Sequence, residues 1–286
     1  MVLNQSERCN LTITEEVRVF EKVAYIPVFA LGLLLNSAAL CLFLVRRRSW
    51  TETHVYMVNL VLADLALILP LPFRIYSVFH RSEVWDFCPL LIAVHYVNMY
   101  ASILTLTAIS VHRFAVVRFP FSARAGRWRK QTAAVLCVLI WVAVAAICAK
   151  LSQAHTRDKL QTCFDRVAEP LPLWIVLVVF VVGYLLPCCV ILFCSGQTIV
   201  SLLGDKEGIT QEKRKCVAII AANLVVFVVC YTPFHVMVLV RFGAGIRKCE
   251  TYNLVHNVFH ITSWIATTNC CLDSIAYYFL FKDIFH

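Results

Sequence analysis

Apolar residues in this chain fall in long blocks divided by short polar stretches, at approximately 20–45, 54–80, 87–118, 131–151, 171–203, 214–241 and 252–280. A helix needs roughly 20 apolar residues to cross the hydrocarbon of a bilayer, and every block is long enough. The pattern predicts an all-α membrane protein with one seven-helix transmembrane domain over 20–280. An extracellular N-terminal segment, 1–19, precedes it, and residues 281–286 begin a short cytoplasmic eighth helix. The connections are too short for a soluble second domain, and there is no internal repeat, low-complexity tract or Gly/Ser linker.

Composition agrees, since 60% of the 286 residues are hydrophobic and 15% charged, against about 25% charged in soluble domains. The first 19 residues are polar and acidic, unlike a cleaved signal peptide, so the first helix is expected to act as the insertion signal. Asn4 and Asn10 head the triplets Asn4-Gln5-Ser6 and Asn10-Leu11-Thr12, which are glycosylation acceptors only on an external segment. Seven crossings then place the C-terminus in the cytoplasm of a multi-pass plasma-membrane protein. On that topology 14 of the 26 Lys/Arg face inward, as do five of the 17 acids. By itself the basic count is a weak inside bias. The inner face carries an excess of +9, which acidic lipid and an acidic partner could meet, although topology anchoring alone explains most of it. No nucleic-acid partner is implied.

Ten of the 14 cysteines lie inside apolar blocks, where cysteine usually serves as a small core residue. Cys9, Cys88, Cys163 and Cys249 are external, where oxidising conditions favour two disulfides. A Cys88–Cys163 link would pin the second external loop over the bundle, leaving Cys9 and Cys249 to tie the N-terminus to the third. Four cysteines allow three connectivities, so the pairing stays open.

A charge at mid-membrane costs about 2.5–3.5 kcal/mol on insertion scales and asks for a reason. Asp64 lies near the middle of the second block and Asp273 in the inner half of the seventh, with Asn36, Asn98, Ser102 and Asn269 at comparable depths. Together they could enclose a small cation such as sodium with water. The alternative is a hydrogen-bonded polar core with one acid protonated. Arg113 ends a long apolar run, and the 25 residues from Cys88 span about 37 Å of helix. It therefore stands at the cytoplasmic mouth.

These residues carry a resemblance covering essentially the whole chain. "LGLLLN" with Asn36, "LVLADL" with Asp64, "VHRF" with Arg113, Trp141, Pro187, "FVVCYTPF" with Pro233, and Asp273 to Tyr277 resemble, in order, the helix signatures of the rhodopsin-like (class A) G-protein-coupled receptors. "WTETHVYMVNLVLADL", "NLVVFVVC" and "NCCLDSIAYYF" are most similar to the branch of lipid, nucleotide and carboxylate receptors that holds the lysophosphatidylinositol and kynurenate-responsive receptors. The resemblance implies signalling through heterotrimeric G proteins, with Arg113, Phe227, Tyr231, Pro233 and Tyr277 in activation and coupling. Two positions depart from the family. His112 replaces the acid that restrains the arginine at rest, which implies raised basal activity, and Ser274 replaces a proline, leaving the seventh helix less kinked.

Arg74, Lys150, Arg241, His95, Tyr96, Tyr100, His235, His256 and His260 populate the outer halves of the helices. No acid is expected well inside the membrane there, with Asp86 and Glu250 only at the rim, so an anion is the expected ligand. Lys150 and Arg241 have a simpler reading as side chains snorkelling to headgroups. Arg74 follows "PLPF", where a proline bend would turn it inward, and it matches a basic position of the lysophosphatidylinositol receptor. Met99 stands where the kynurenate and hydroxycarboxylic acid receptors carry an arginine. That favours a larger anionic amphiphile, a lysophospholipid, over a small carboxylate metabolite. An anion bridging Arg74 and Arg241 would draw the second and sixth helices together, repack Tyr231 and Phe227, swing the sixth helix about Pro233 and release Arg113.

Other classes are less well supported. Three histidines can make a catalytic zinc site, but His95, His256 and His260 are external with no water-polarising acid expected beside them, so neither an enzyme nor a metal is expected. The seventh block has no lysine for a retinal Schiff base. Beyond the sodium no cofactor is implied. A seven-helix transporter or lipid scramblase is the alternative of another class, told apart by nucleotide-dependent G-protein recruitment.

Overall fold

The computed structural model describes residues 13–45, 51–80, 85–119, 130–152, 163, 172–204, 210–244 and 249–282. The first span is Glu15–Val45 and the second is Glu52–Ile68 followed by Leu71–Phe79; the third is Cys88–Arg118 and the fourth Lys130–Ser152. The fifth joins Leu173–Leu177, a π-helical stretch Val178–Leu185 and Leu186–Leu203; Gln211–Ala244 and Cys249–Lys282 are the sixth and seventh. The first six are long and apolar enough to cross a membrane. The seventh is also 34 residues long, but its Asn, Thr, Ser and His side chains make it more polar.

Side-chain contacts give the relative direction of several spans. Thr14, Glu21, Ala24 and Asn36 meet Asn257, His260, Trp264 and Cys270, so the first and seventh spans run parallel. Arg74 meets Glu21 at one end of the first two spans and His54 lies against Phe43 at the other, so these run antiparallel. Asn59–Thr105 and Ala63–Asn98 make the second and third antiparallel, as Arg241–Tyr252 and Cys230–Thr268 do for the sixth and seventh, and Tyr184–Thr232 joins the fifth to the sixth. Helix packing closes a ring in the order first, second, fourth, third, fifth, sixth, seventh, with the third span also packed on the second. Alternating direction is what seven successive membrane crossings require.

Lipid tails are as apolar as leucine, so close packing and interhelical hydrogen bonds hold such a bundle together. The bundle packs inward around Leu60, Val61, Ile103, Phe227 and Phe234, while Val138, Leu139 and Val142 of the fourth span point outward. Between them, Asn59 joins three spans by donating to Thr105 Oγ1 at 2.8 Å and accepting from Trp141 Nε1 at 2.8 Å. Gly183 fits because a Cβ there would lie 2.6 Å from Tyr100 Cε1. It sits in the π-helical stretch, whose widened turn ends with the Leu186 N–H donating to the Val181 carbonyl and which buries Tyr184 against the sixth span.

Two sequence expectations need adjusting. The first helix begins at Glu15 rather than near residue 20, and its buried face runs Val17, Glu21, Tyr25, Val28, Gly32, Asn36, Ala39, Phe43. The last helix continues unbroken to Lys282, and 283–286, the rest of the expected eighth helix, lie outside the described residues.

Candidate functional site

The second span breaks after Ile68, where Leu69 and Pro70 form a turn, and restarts at Leu71 with Pro72 in its first turn. Proline lacks the N–H that would continue a helix and is tolerated at such a start. Arg74 follows the break and is 7% exposed. The expectation that no acid lies in this half of the bundle is overturned by Glu21, which is 3% exposed. Its Oε1 accepts from His260 Nδ1 at 3.0 Å and lies 3.6 Å from an Arg74 guanidinium nitrogen. The guanidinium also sits over the Tyr25 ring at 4.6 Å, and the rings of His256 and His260 meet edge-on at 4.7 Å. Glu21 was missed because apolar block length places the helix start too late. The signal was nevertheless present in the steps of three and four from Tyr25 to Asn36, which extend back to residue 21.

Arg241 sits elsewhere. Its Nε donates to the Tyr252 hydroxyl at 3.2 Å, and the guanidinium lies over the Tyr252 and Phe259 rings at 5.6 and 5.4 Å. Among the described residues it has no acidic partner. Its contacts join the sixth and seventh spans, whereas Arg74 joins the second span to the first, whose Glu21 reaches His260 of the seventh. Lys150 is exposed at the end of the fourth span.

Deeper in the bundle, His235 is 0% exposed. The Tyr231 carbonyl must accept, so His235 Nδ1 donates to it at 2.8 Å, leaving Nε2 to face the Tyr100 hydroxyl at 3.4 Å. Tyr184 stacks on the imidazole at 4.4 Å, and Phe234 meets it edge-on at 5.2 Å. Phe227 packs on Tyr184 and Tyr231, while Tyr96 and Phe259 flank Phe234. With Pro233 inside the sixth helix, these rings form an aromatic layer between the third, fifth and sixth spans.

Beside that layer lies a cavity of about 10 Å³, lined by Asp64, Leu67, His95, Asn98, Met99, Tyr231, Ala266, Thr267, Asn269 and Cys270. That is room for about one water-sized occupant. The Asn98 amide donates to the Ala63 carbonyl, the Asn269 amide to Asp273 at 2.7 Å, and the Asn36 amide to the Gly32 and Cys270 carbonyls at 2.9 Å each. Asp64 Oδ2, Ser102 Oγ, Asn269 Oδ1 and His95 Nε2 are buried without a hydrogen-bond partner among the described residues. Leaving such atoms unpaired costs about 1–3 kcal/mol each, so an oxygen-seeking cation or water fits this site. Met99 lines this core cavity. No group of three or more His, Cys, Asp and Glu among the described residues is placed to hold a metal ion.

At the opposite end Arg113 is half-buried, and the neighbouring His112 is buried with its ring 6.0 Å from Tyr56. Tyr277 lies in the seventh helix, but its side chain is outside the described residues. Cys88 and Cys163 are joined by a disulfide, with a Cα–Cα distance of 5.1 Å. Cys9, Asn4 and Asn10 fall outside the described residues, as does the side chain of Cys249.

A seven-span ring with this disulfide, an arginine at the far end and a polar core between them matches the family model described as 7 transmembrane receptor (rhodopsin family), over residues 35–277. The chain belongs to that family. It is 36% identical to G-protein coupled receptor 35 of Homo sapiens, over 91% of this chain and 84% of the relative. It is 35% identical to the Mus musculus receptor of the same name, over 97% and 91%. A purinoceptor of Meleagris gallopavo is 34% identical, over 99% and 82%. The chain is thus a receptor and not an enzyme: a multi-pass plasma-membrane protein that couples a small-molecule agonist to G proteins.

Proposed function

We propose that this receptor answers to an anionic agonist, a lysophospholipid in the first instance, held at the disulfide end of the bundle. The observation that carries the reading is Arg241, a half-buried cation with a phenol and two aromatic faces around it and no acid beside it among the described residues. A phosphate or carboxylate would supply the missing charge. Phe259 and Tyr96, both partly buried, flank the buried Phe234 and offer apolar surface to an acyl chain.

On this reading the disulfide end faces outward, with the glycosylation triplets, and Arg113 opens on the cytoplasm. Agonist contact at Phe259 and Phe234 would press on the aromatic layer, and the sixth span would pivot at Pro233 to admit the G protein beside Arg113. Asp64, Ser102 and Asn269 would hold a sodium ion, which supplies the positive charge their unpaired oxygens lack. A ligand moves such an equilibrium only by its differential affinity for the two states.

The test is a screen of anionic lysophospholipids, small carboxylates and, given the purinoceptor relatives, purine nucleotides on cells expressing the receptor, with Arg241→Ala and Arg74→Ala in parallel. Arg241→Lys sorts the hits. A phosphate can be met by a point charge, whereas a carboxylate gripped by both arms of a guanidinium suffers more from the exchange. No response from any anionic class at matched surface expression contradicts the reading.

A further inference from the structure

Glu21 is a carboxylate on a membrane-spanning helix, sealed from solvent at 3% exposure and facing two cationic or proton-donating groups, Arg74 and His260, which are themselves 7% and 5% exposed. Taking such charges out of water is costly unless partners replace the lost solvation. Here the carboxylate supplies such a partner to both the guanidinium and the imidazole. The Glu21–Arg74 approach of 3.6 Å is longer than the 2.7–2.9 Å usual for a charge-assisted bond. The three residues come from three different spans, at the end where Arg241 also lies, and the Tyr25 ring backs the guanidinium at 4.6 Å.

We propose that Arg74 and His260 form an anion subsite whose resting occupant is the receptor's own Glu21, and that a phosphate or carboxylate oxyanion binds there by displacing it. The proposal rests on the anionic-agonist reading above and adds to it a specificity device. Glu21 sets the threshold an anion must exceed, because the incoming oxygens have to outcompete an intramolecular carboxylate. The first span, which moves away with Glu21, becomes part of the response. Neutralising Glu21 removes the competing carboxylate charge from beside Arg74, so an external oxyanion should bind there more readily.

The experiment uses the purified receptor in detergent and needs neither agonist response nor G protein, so it can fail independently of the anionic-agonist reading. Thermal unfolding is followed in sodium phosphate and in sodium chloride at matched ionic strength and pH. The wild type, Glu21→Gln, Glu21→Asp and Glu21→Gln/Arg74→Ala are compared. Glu21→Gln is expected to melt below the wild type in chloride and to be restored by phosphate, with a half-maximal phosphate concentration on the order of tenfold lower than that of the wild type, within the range of coupling between sites. Adding Arg74→Ala should abolish the difference between the two salts. Glu21→Asp, one methylene shorter with the charge kept, should respond between the two, and it decides the matter if Glu21→Gln cannot be purified. A second arm replaces phosphate by lysophosphatidate, with lysophosphatidylcholine as control. Stabilisation by both phosphate and lysophosphatidate assigns the subsite to oxyanions in general, and by lysophosphatidate alone to a lipid headgroup. Equal salt responses in wild type, Glu21→Asp and any Glu21→Gln obtained, with no lipid discrimination, overturn the proposal.

Discussion

A methyl group at position 183 would sit 2.6 Å from Tyr100 Cε1, and His235 lies against the same ring at 5.9 Å. Gly183→Ala must therefore displace Tyr100 and disturb its approach to His235. A loss of about 1–3 kcal/mol is expected from such overpacking, read as a lower melting temperature of the purified receptor, whereas an unchanged melting temperature would show that the ring has room to move. Position 112 allows a second single-residue test. With His112 in place of the family's acid, the position before Arg113 carries no carboxylate to restrain it as in relatives. Introducing one by His112→Asp should lower ligand-free nucleotide exchange, because the added charge-assisted contact belongs to the resting state. Equal or higher basal exchange at matched expression would remove His112 from any explanation of basal activity. Arg113 and Asp64 were readable as residues out of place in apolar runs. Glu21 was not, since a carboxylate at the edge of an apolar block looks like loop until helical phase is traced back through Tyr25.

At the scale of elements, apolar block length predicted all seven spans, with ends within a few residues of the structure except at the first helix, which starts five residues early. The second-span break was also legible, because "LPLPF" removes backbone donors where the helix restarts. The π-helical stretch was not. "VVFVVGYL" is uniformly apolar, so nothing in its pattern marks an extra residue per turn, and the signal is instead the fit between Gly183 and Tyr100 across two spans. The Cys88–Cys163 bond was one of three possible connectivities and is the one formed. It anchors the described residue of the second loop to the start of the third span. Cys88→Ser is expected to abolish surface expression or agonist response. Thiol labelling of both residues in the unreduced receptor would show that the bond does not form.

For the whole molecule, the bundle puts cations and aromatic rings at the disulfide end, a water-sized polar cavity at mid-depth and Arg113 at the far end. An anion gained at one end can therefore bias packing at the other without contacting it. Of the two arginines that the sequence suggested as one clamp, Arg74 lies beside Glu21, whereas Arg241 has no acid beside it among the described residues. The most direct test is agonist-stimulated nucleotide exchange on a purified G protein, using receptor in lipid nanodiscs and the best anionic agonist from the screen, for wild type and Arg241→Ala. Losing a hydrogen bond to a charged group is worth about 1.5–3 kcal/mol, so the account predicts a potency loss on the order of tenfold to a hundredfold with the maximal rate retained at saturation. Undiminished potency in Arg241→Ala at equal receptor amounts would show that Arg241 only snorkels at the membrane edge, and would contradict the assignment of an anionic agonist to this end of the bundle.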